Sequence, residues 1–117
     1  MIVRYLKRFP HALRGLTYAL RHDFGFRTQV YGIGLVLGIF LYVTHPLTAT
    51  ELLFLTLGYF LIAITELQNS ALEVALDKLH PELHGAIGKS KDMAASAVLL
   101  AGVFLLVVVI TIIYTRL

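Results

Sequence analysis

The chain contains no cysteine, which excludes a disulfide framework, a thiolate metal site, a cysteine nucleophile and thiol redox chemistry. Charge is also scarce. Only 15% of its 117 residues are Asp, Glu, Lys or Arg, against 58% hydrophobic, and mean hydropathy is +0.81. That balance lies far outside the soluble range and reads as a single integral membrane domain. Asp23 is the only acid ahead of Glu51. No GxxxxGK(S/T) loop, GxGxxG turn or HRD/DFG set is present, so a nucleotide user would have to build its site outside the common nucleotide folds. GxSxG is missing too, as are internal repeats and low-complexity tracts, and no nucleic-acid partner is expected.

What remains is apolar sequence in three stretches: Val30 to Thr44, Leu52 to Thr65 continuing as an amphipathic helix to about Leu76, and Met93 to Tyr114. A helix needs about 20 residues to cross the hydrocarbon. The third stretch qualifies alone. The first must start near Phe26, and the second must include part of a polar stripe, which places Glu66 near membrane depth. The expected fold is therefore all-α, with membrane helices at about 26–44, 51–76 and 93–114 in one domain, 1–117. Between the first two, Pro46 discourages helix at His45, and Thr48 or Thr50 can cap the next helix. The connection from Lys78 to Lys91 holds Pro81, Gly85 and Gly88, and has room for turns and a short surface helix.

Ahead of the first span, Leu6, Phe9, Leu13, Leu16 and Leu20 recur at i+3 and i+4, with Arg4, Lys7, Arg8, Arg14 and Arg21 distributed around them. Residues 1–22 thus read as an amphipathic helix lying on the membrane, with Pro10 expected to break or restart it. A cleavable signal peptide fits less well, because no uninterrupted apolar core follows the basic region. Cations cluster in residues 1–27 and again at Lys78, Lys89 and Lys91, and are missing from the His45 to Glu51 turn. The positive-inside rule then puts the N-terminus and the second connection in the cytoplasm and the C-terminus outside.

The residues with the most chemistry are Glu66, Asn69, Ser70, Glu73 and Asp77. At 100° per residue all lie within roughly 60° of Glu66, forming one polar stripe. Interhelical glue would use neutral Asn, Ser or Gln; carboxylates at membrane depth are costly and point to a reaction or ion site. Asp23, on the same cytoplasmic side, reads either as a second-helix carboxylate completing a Mg²⁺ site with Glu73, or as a helix-end acid flanked by Arg21 and Arg27. Lys91 reads as a cation facing phosphate or as an interface anchor, and His84 as a phosphate or base contact or a solvated loop residue. From the residues alone, an enzyme and an ion-coupled transporter both remain open. A transporter would want its acids near the bilayer centre, whereas these cluster at one interface beside Lys91.

The run Glu66-Leu67-Gln68-Asn69-Ser70-Ala71-Leu72-Glu73-Val74-Ala75-Leu76-Asp77 resembles the E-hh-N-(S/T)-A-h-E-hhh-D signature of prokaryotic diacylglycerol and undecaprenol kinases. The resemblance continues through Glu82-Leu83-His84 to Lys91-Asp92-Met93-Ala94-Ala95. Upstream, Arg14-Gly15-Leu16 and Asp23-Phe24-Gly25-Phe26-Arg27 are similar to the family's basic-Gly-hydrophobic and E-xx-(F/M)-R elements, so almost the whole chain is covered.

The resemblance implies a surface helix plus three transmembrane helices in a homotrimer with shared active sites, in the bacterial cytoplasmic (inner) membrane. It implies transfer of the γ-phosphoryl of ATP, with Mg²⁺, to a membrane lipid hydroxyl. Glu66 matches the general base, and Asp23 and Glu73 the metal carboxylates. Arg4, Asp23, Glu73, Glu82, Leu83, His84, Lys91 and Asp92 match nucleotide-side positions, and Asn69, Ser70 and Asp77 supporting polar ones. Arg14, Phe26, Arg27 and Gln29 join Glu66 on the lipid side. Asp23 stands where the family has glutamate, and Gln68 where it is apolar. Lys91-Asp92-Met93 with Ser96 looks nearer the diacylglycerol branch, whereas Phe9-x-x-Ala12-Leu13-x-Gly15 and Phe26-Arg27-Thr28-Gln29 resemble the undecaprenol branch. Diacylglycerol, giving phosphatidic acid, is the expected acceptor and undecaprenol the alternative.

Overall fold

The computed structural model describes residues 1–79 and 85–117 and contains, among them, four helices: α1 (Ile2–His22), α2 (Phe24–Thr44), α3 (Ala49–Leu79) and α4 (Gly85–Arg116). The last three are long and apolar enough to cross a membrane, so the chain is an all-helical membrane protein. The α3–α4 interface is the most extensive, α2 packs on α3, and α1 touches the rest chiefly through α2.

The core follows from helical spacing. Leu55 and Ile62 on α3 meet Ala101, Leu105, Val108 and Ile112 on α4, all buried. Intervals of three, four and seven keep these residues on facing stripes. Gly58 lets the two backbones close up: a Cβ there would lie 2.8 Å from Leu105 Cδ1 and 3.3 Å from its Cα. On the other side of α3, the Tyr59 hydroxyl donates to the Val30 carbonyl at 2.7 Å, which registers α2 against α3. Below Ile62 the same buried stripe of α3 continues as Glu66, Asn69 and Ser70. The core face therefore turns polar at one end of the bundle.

The opposite end is tied by a capping box. The Thr48 N–H donates to Glu51 Oε1 at 2.8 Å, and the Glu51 N–H donates to Thr48 Oγ1 at 3.1 Å, so Thr48 is the cap. Arg116 reaches back from the end of α4 to Glu51 Oε1 at 2.7 Å and to the Pro46 carbonyl at 3.1 Å.

Two expectations need correction. Pro10 neither breaks nor restarts α1, which runs through it unbroken; the Leu6 carbonyl that proline leaves without a donor lies in an exposed turn, where water can serve it. No separate surface helix follows Lys78 among the described residues: α3 runs to Leu79, and Gly85 and Gly88 already belong to the first turns of α4. With 31 residues, α3 overshoots the hydrocarbon. A span of about 20 residues counted from Ala49 would end near Gln68.

Candidate functional site

Asp23 is the joint on which the site is built. Its extended backbone ends α1, where its N–H donates to the Ala19 carbonyl at 3.0 Å, and its Oδ1 accepts from the Phe26 N–H at 2.8 Å to cap α2. A carboxylate in this place satisfies an otherwise orphaned donor and meets the positive end of the helix dipole. Arg27 reinforces the corner by donating to the Arg21 carbonyl at 3.1 Å. Phe26, at 2% exposed, anchors the first turn of α2.

Glu66 on α3 leans into that same turn. It is 8% exposed, and its Oε1 lies 2.7 Å from the point where a Gly25 Cβ would stand, with Asp23 Oδ1 3.5 Å from that point. The missing side chain of Gly25 leaves the cradle into which the Glu66 carboxyl fits. One turn further, Asn69 donates from Nδ2 to Glu73 Oε1 at 3.3 Å, while its own Oδ1 is buried without a partner. Asp23 Oδ1 and Glu66 Oε1 face the same space above Gly25, and Glu73 lies two turns along α3 from Glu66. The acids of separate helices thus converge at one end of the bundle. Beyond them, Asp77 pairs with Lys91, joining the ends of α3 and α4 that extend past the membrane.

This donor set is all oxygen, which suits Mg²⁺, an ion that takes one or two carboxylates and leaves its other positions to water and phosphate. Among the described residues, no three His, Asp or Glu side chains gather as a self-sufficient metal cage. A buried amide oxygen without a donor, on the residue that bonds the Glu73 carboxylate, fits a site completed by a hydrated ion and its substrate.

The other expected residues are more dispersed. Arg4 is exposed in the first turn of α1, Arg14 pairs with His11, and Asp92 is exposed on α4 with its carbonyl accepting from Ser96. Gln29 lines a groove of about 340 Å³ between α2, α3 and α4, together with Ile33, Ile62 and Gly102. Phe26, expected on the lipid side, is 2% exposed and packs in the interior of the single chain. Glu82, Leu83 and His84 lie outside the described residues.

Two features escaped the sequence reading. Gly25 carried no assigned role, because its importance is a contact with a residue on another helix. A cavity of about 540 Å³ also opens between α1 and α3, walled by Ala12, Leu16, Ala19, Leu67 and Ala71, with Asp23 and Ser70 as polar groups in its lining. Small residues at Ala12, Gly15 and Ala19 were its only signal in the sequence.

An apolar bundle of three membrane-length helices with carboxyls gathered at one end defines a small helical membrane protein. The sequence profile of the prokaryotic diacylglycerol kinase family matches residues 10–113, and the chain belongs to that family of kinases. It is 31% identical over 108 residues to the diacylglycerol kinase of Escherichia coli K12, covering 92% of this chain and 84% of that protein. The diacylglycerol kinase of Shigella flexneri matches to the same extent. That of Haemophilus influenzae is 25% identical over 91 residues, 78% of this chain and 75% of the relative.

Proposed function

We propose that the protein phosphorylates the free hydroxyl of diacylglycerol, using ATP with Mg²⁺ and giving phosphatidic acid, at the cytoplasmic face of the bacterial inner membrane. The observation that carries this reading is the Asp23–Gly25–Glu66 cradle, in which a carboxyl at the α1–α2 joint and one from α3 meet at a helix N-terminus. The named activity of the relatives supports the choice of acceptor.

Asp23 and Glu73 would hold Mg²⁺, which supplies neutralisation of the phosphate charge when bound. Phosphoryl transfer otherwise asks mainly for positioning. The buried Glu66 carboxyl accepts the proton from the acceptor hydroxyl as its oxygen bonds to the γ-phosphorus and the bridging oxygen leaves with ADP. Asn69 holds Glu73 in place through its Nδ2 and keeps Oδ1 for a donor brought by the substrates. Lys91, held by Asp77, would offer its charge to the phosphates. The cavity between α1 and α3 offers an apolar wall to an acyl chain beside Asp23.

Each span leaves most of its apolar surface uncovered in the single chain, and Glu73 is exposed. Both fit the homotrimer with shared sites that the resemblance implies, in which neighbouring copies would cover part of that surface.

The test is transfer of labelled phosphate from MgATP in mixed micelles that offer diacylglycerol and undecaprenol separately. Product with diacylglycerol alone is expected. Product with undecaprenol alone would move the chain to that branch, and ATP hydrolysis with no lipid product, or no response to nucleotide, would overturn the kinase reading.

A further inference from the structure

Hydroxyls on the membrane helices mostly serve their own helix. Thr65 donates to the Leu61 carbonyl at 2.7 Å, Ser96 to that of Asp92 at 2.9 Å and Thr111 to that of Val107 at 2.7 Å, so each is satisfied without a neighbour. Ser70 departs from this pattern. At 7% exposed it is the only buried serine or threonine among the described residues, and none of them is a hydrogen-bond partner to its hydroxyl. It lines the cavity of about 540 Å³ between α1 and α3, together with Asp23. Tyr18 also borders that cavity, but it is 61% exposed and its ring leans on His22, with centroids 4.8 Å apart. A buried hydroxyl open only to a largely apolar cavity is unfavourable unless a group enters to meet it.

We infer that Ser70 is a specificity-determining residue: its hydroxyl donates to an ester carbonyl of the acceptor lipid, and so selects a glycerol ester over an isoprenoid or ether-linked alcohol. Ester selection by Ser70 rests on the lipid kinase reading and names what decides its acceptor. The surroundings choose the partner. Ala12, Leu16, Ala19, Leu67 and Ala71 make the cavity wall apolar, so the entering group belongs to a lipid. The Asp23 carboxylate in the same lining repels an anion such as phosphate, so the group is neutral. Asp23, Glu66 and Glu73 offer acceptors, and the Asn69 amide donates to Glu73, which leaves the Ser70 hydroxyl as the donor for a carbonyl. Spacing agrees. Ser70 follows Glu66 by one turn of α3, about 6 Å along the axis. On diacylglycerol the nearer ester carbonyl stands at a comparable reach from the free hydroxyl, on the adjacent glycerol carbon. Undecaprenol has no second polar group; entering the cavity, it would displace water from Ser70 and leave the hydroxyl unpaired.

The full chain in nanodiscs with MgATP is offered dioleoylglycerol and, separately, its dioleyl ether, which keeps the alcohol and both chains and lacks only the carbonyls. Wild type should favour the diester by about tenfold or more in kcat/KM, chiefly through KM, because the carbonyl contact is the same in ground and transition states. Ser70→Ala should bring that ratio close to one, and Ser70→Thr, which keeps the hydroxyl, should retain most of it. A ratio near one in wild type would overturn the inference, and that comparison needs no variant to fold. So would a ratio that Ser70→Ala leaves intact, including the case in which both rates fall together. Binding is read apart from turnover by the infrared ester band of diacylglycerol carrying isotope-labelled carbonyls. Wild type should move part of that band to lower frequency and Ser70→Ala should not; a band indifferent to the substitution would also overturn the inference. A wild-type shift that Ser70→Ala abolishes, with no phosphate transfer to any lipid, would leave ester recognition standing and sink the proposed function instead.

Discussion

Gly25 offers a graded test of the cradle. A Cβ at that position would stand 2.7 Å from Glu66 Oε1, where ordinary contact begins at 3.4 Å, so in Gly25→Ala the carboxyl must retreat by about 0.7 Å. The atom that moves is the end of a flexible side chain, and alanine gains up to about 1 kcal/mol over glycine in helix propensity, so folding should be unharmed or slightly improved. A displacement of about 1 Å at a reacting group can cost about a hundredfold in rate. Gly25→Ala should therefore lower turnover by about tenfold. Gly25→Val, whose methyls enter the space that the carboxyl occupies, should lower it by about a hundredfold or more. Phosphate transfer to diacylglycerol in mixed micelles measures the rates, and thermal unfolding in the same micelles measures stability. Unchanged turnover in Gly25→Val would refute the cradle. So would losses that merely track a falling unfolding temperature.

Other substitutions separate site from scaffold. Asn69→Leu removes a buried oxygen without a partner, so unfolding temperature should hold or rise, while loss of the bond to Glu73 should raise the Mg²⁺ concentration needed for half-maximal rate. Glu51→Gln weakens both the capping box and the Arg116 contact at the far end of the bundle, and should lower the SDS fraction at which the protein denatures with no change in kcat. Gly58→Val drives a side chain into Leu105, and should destabilise the α3–α4 pair by about 1–3 kcal/mol in the same assay.

The polar stripe from Glu66 to Glu73 was legible because helical periodicity is local, and a carboxylate at membrane depth needs a reason. The three spans were legible because hydrocarbon thickness fixes helix length. Gly25 was not, since its role depends on α3 arriving from forty residues away to fill the space above it. The burial of Phe26 was hidden for the same reason: an aromatic residue at a helix start gives no sign of which neighbour will cover it. Pro10 misled because its cost depends on whether water reaches the freed carbonyl, and in an exposed surface turn it can. Arg116 could not be paired with Glu51 until the fold closed a separation of 65 residues.

The most direct measurement is on Glu66→Gln, which keeps the shape of the side chain and removes its capacity to take a proton. In proteoliposomes with labelled MgATP and diacylglycerol, the account predicts that labelled phosphatidic acid falls to background while nucleotide binding, followed by equilibrium dialysis in detergent, stays close to wild type. Lipid phosphorylation at the wild-type rate by this variant would contradict it.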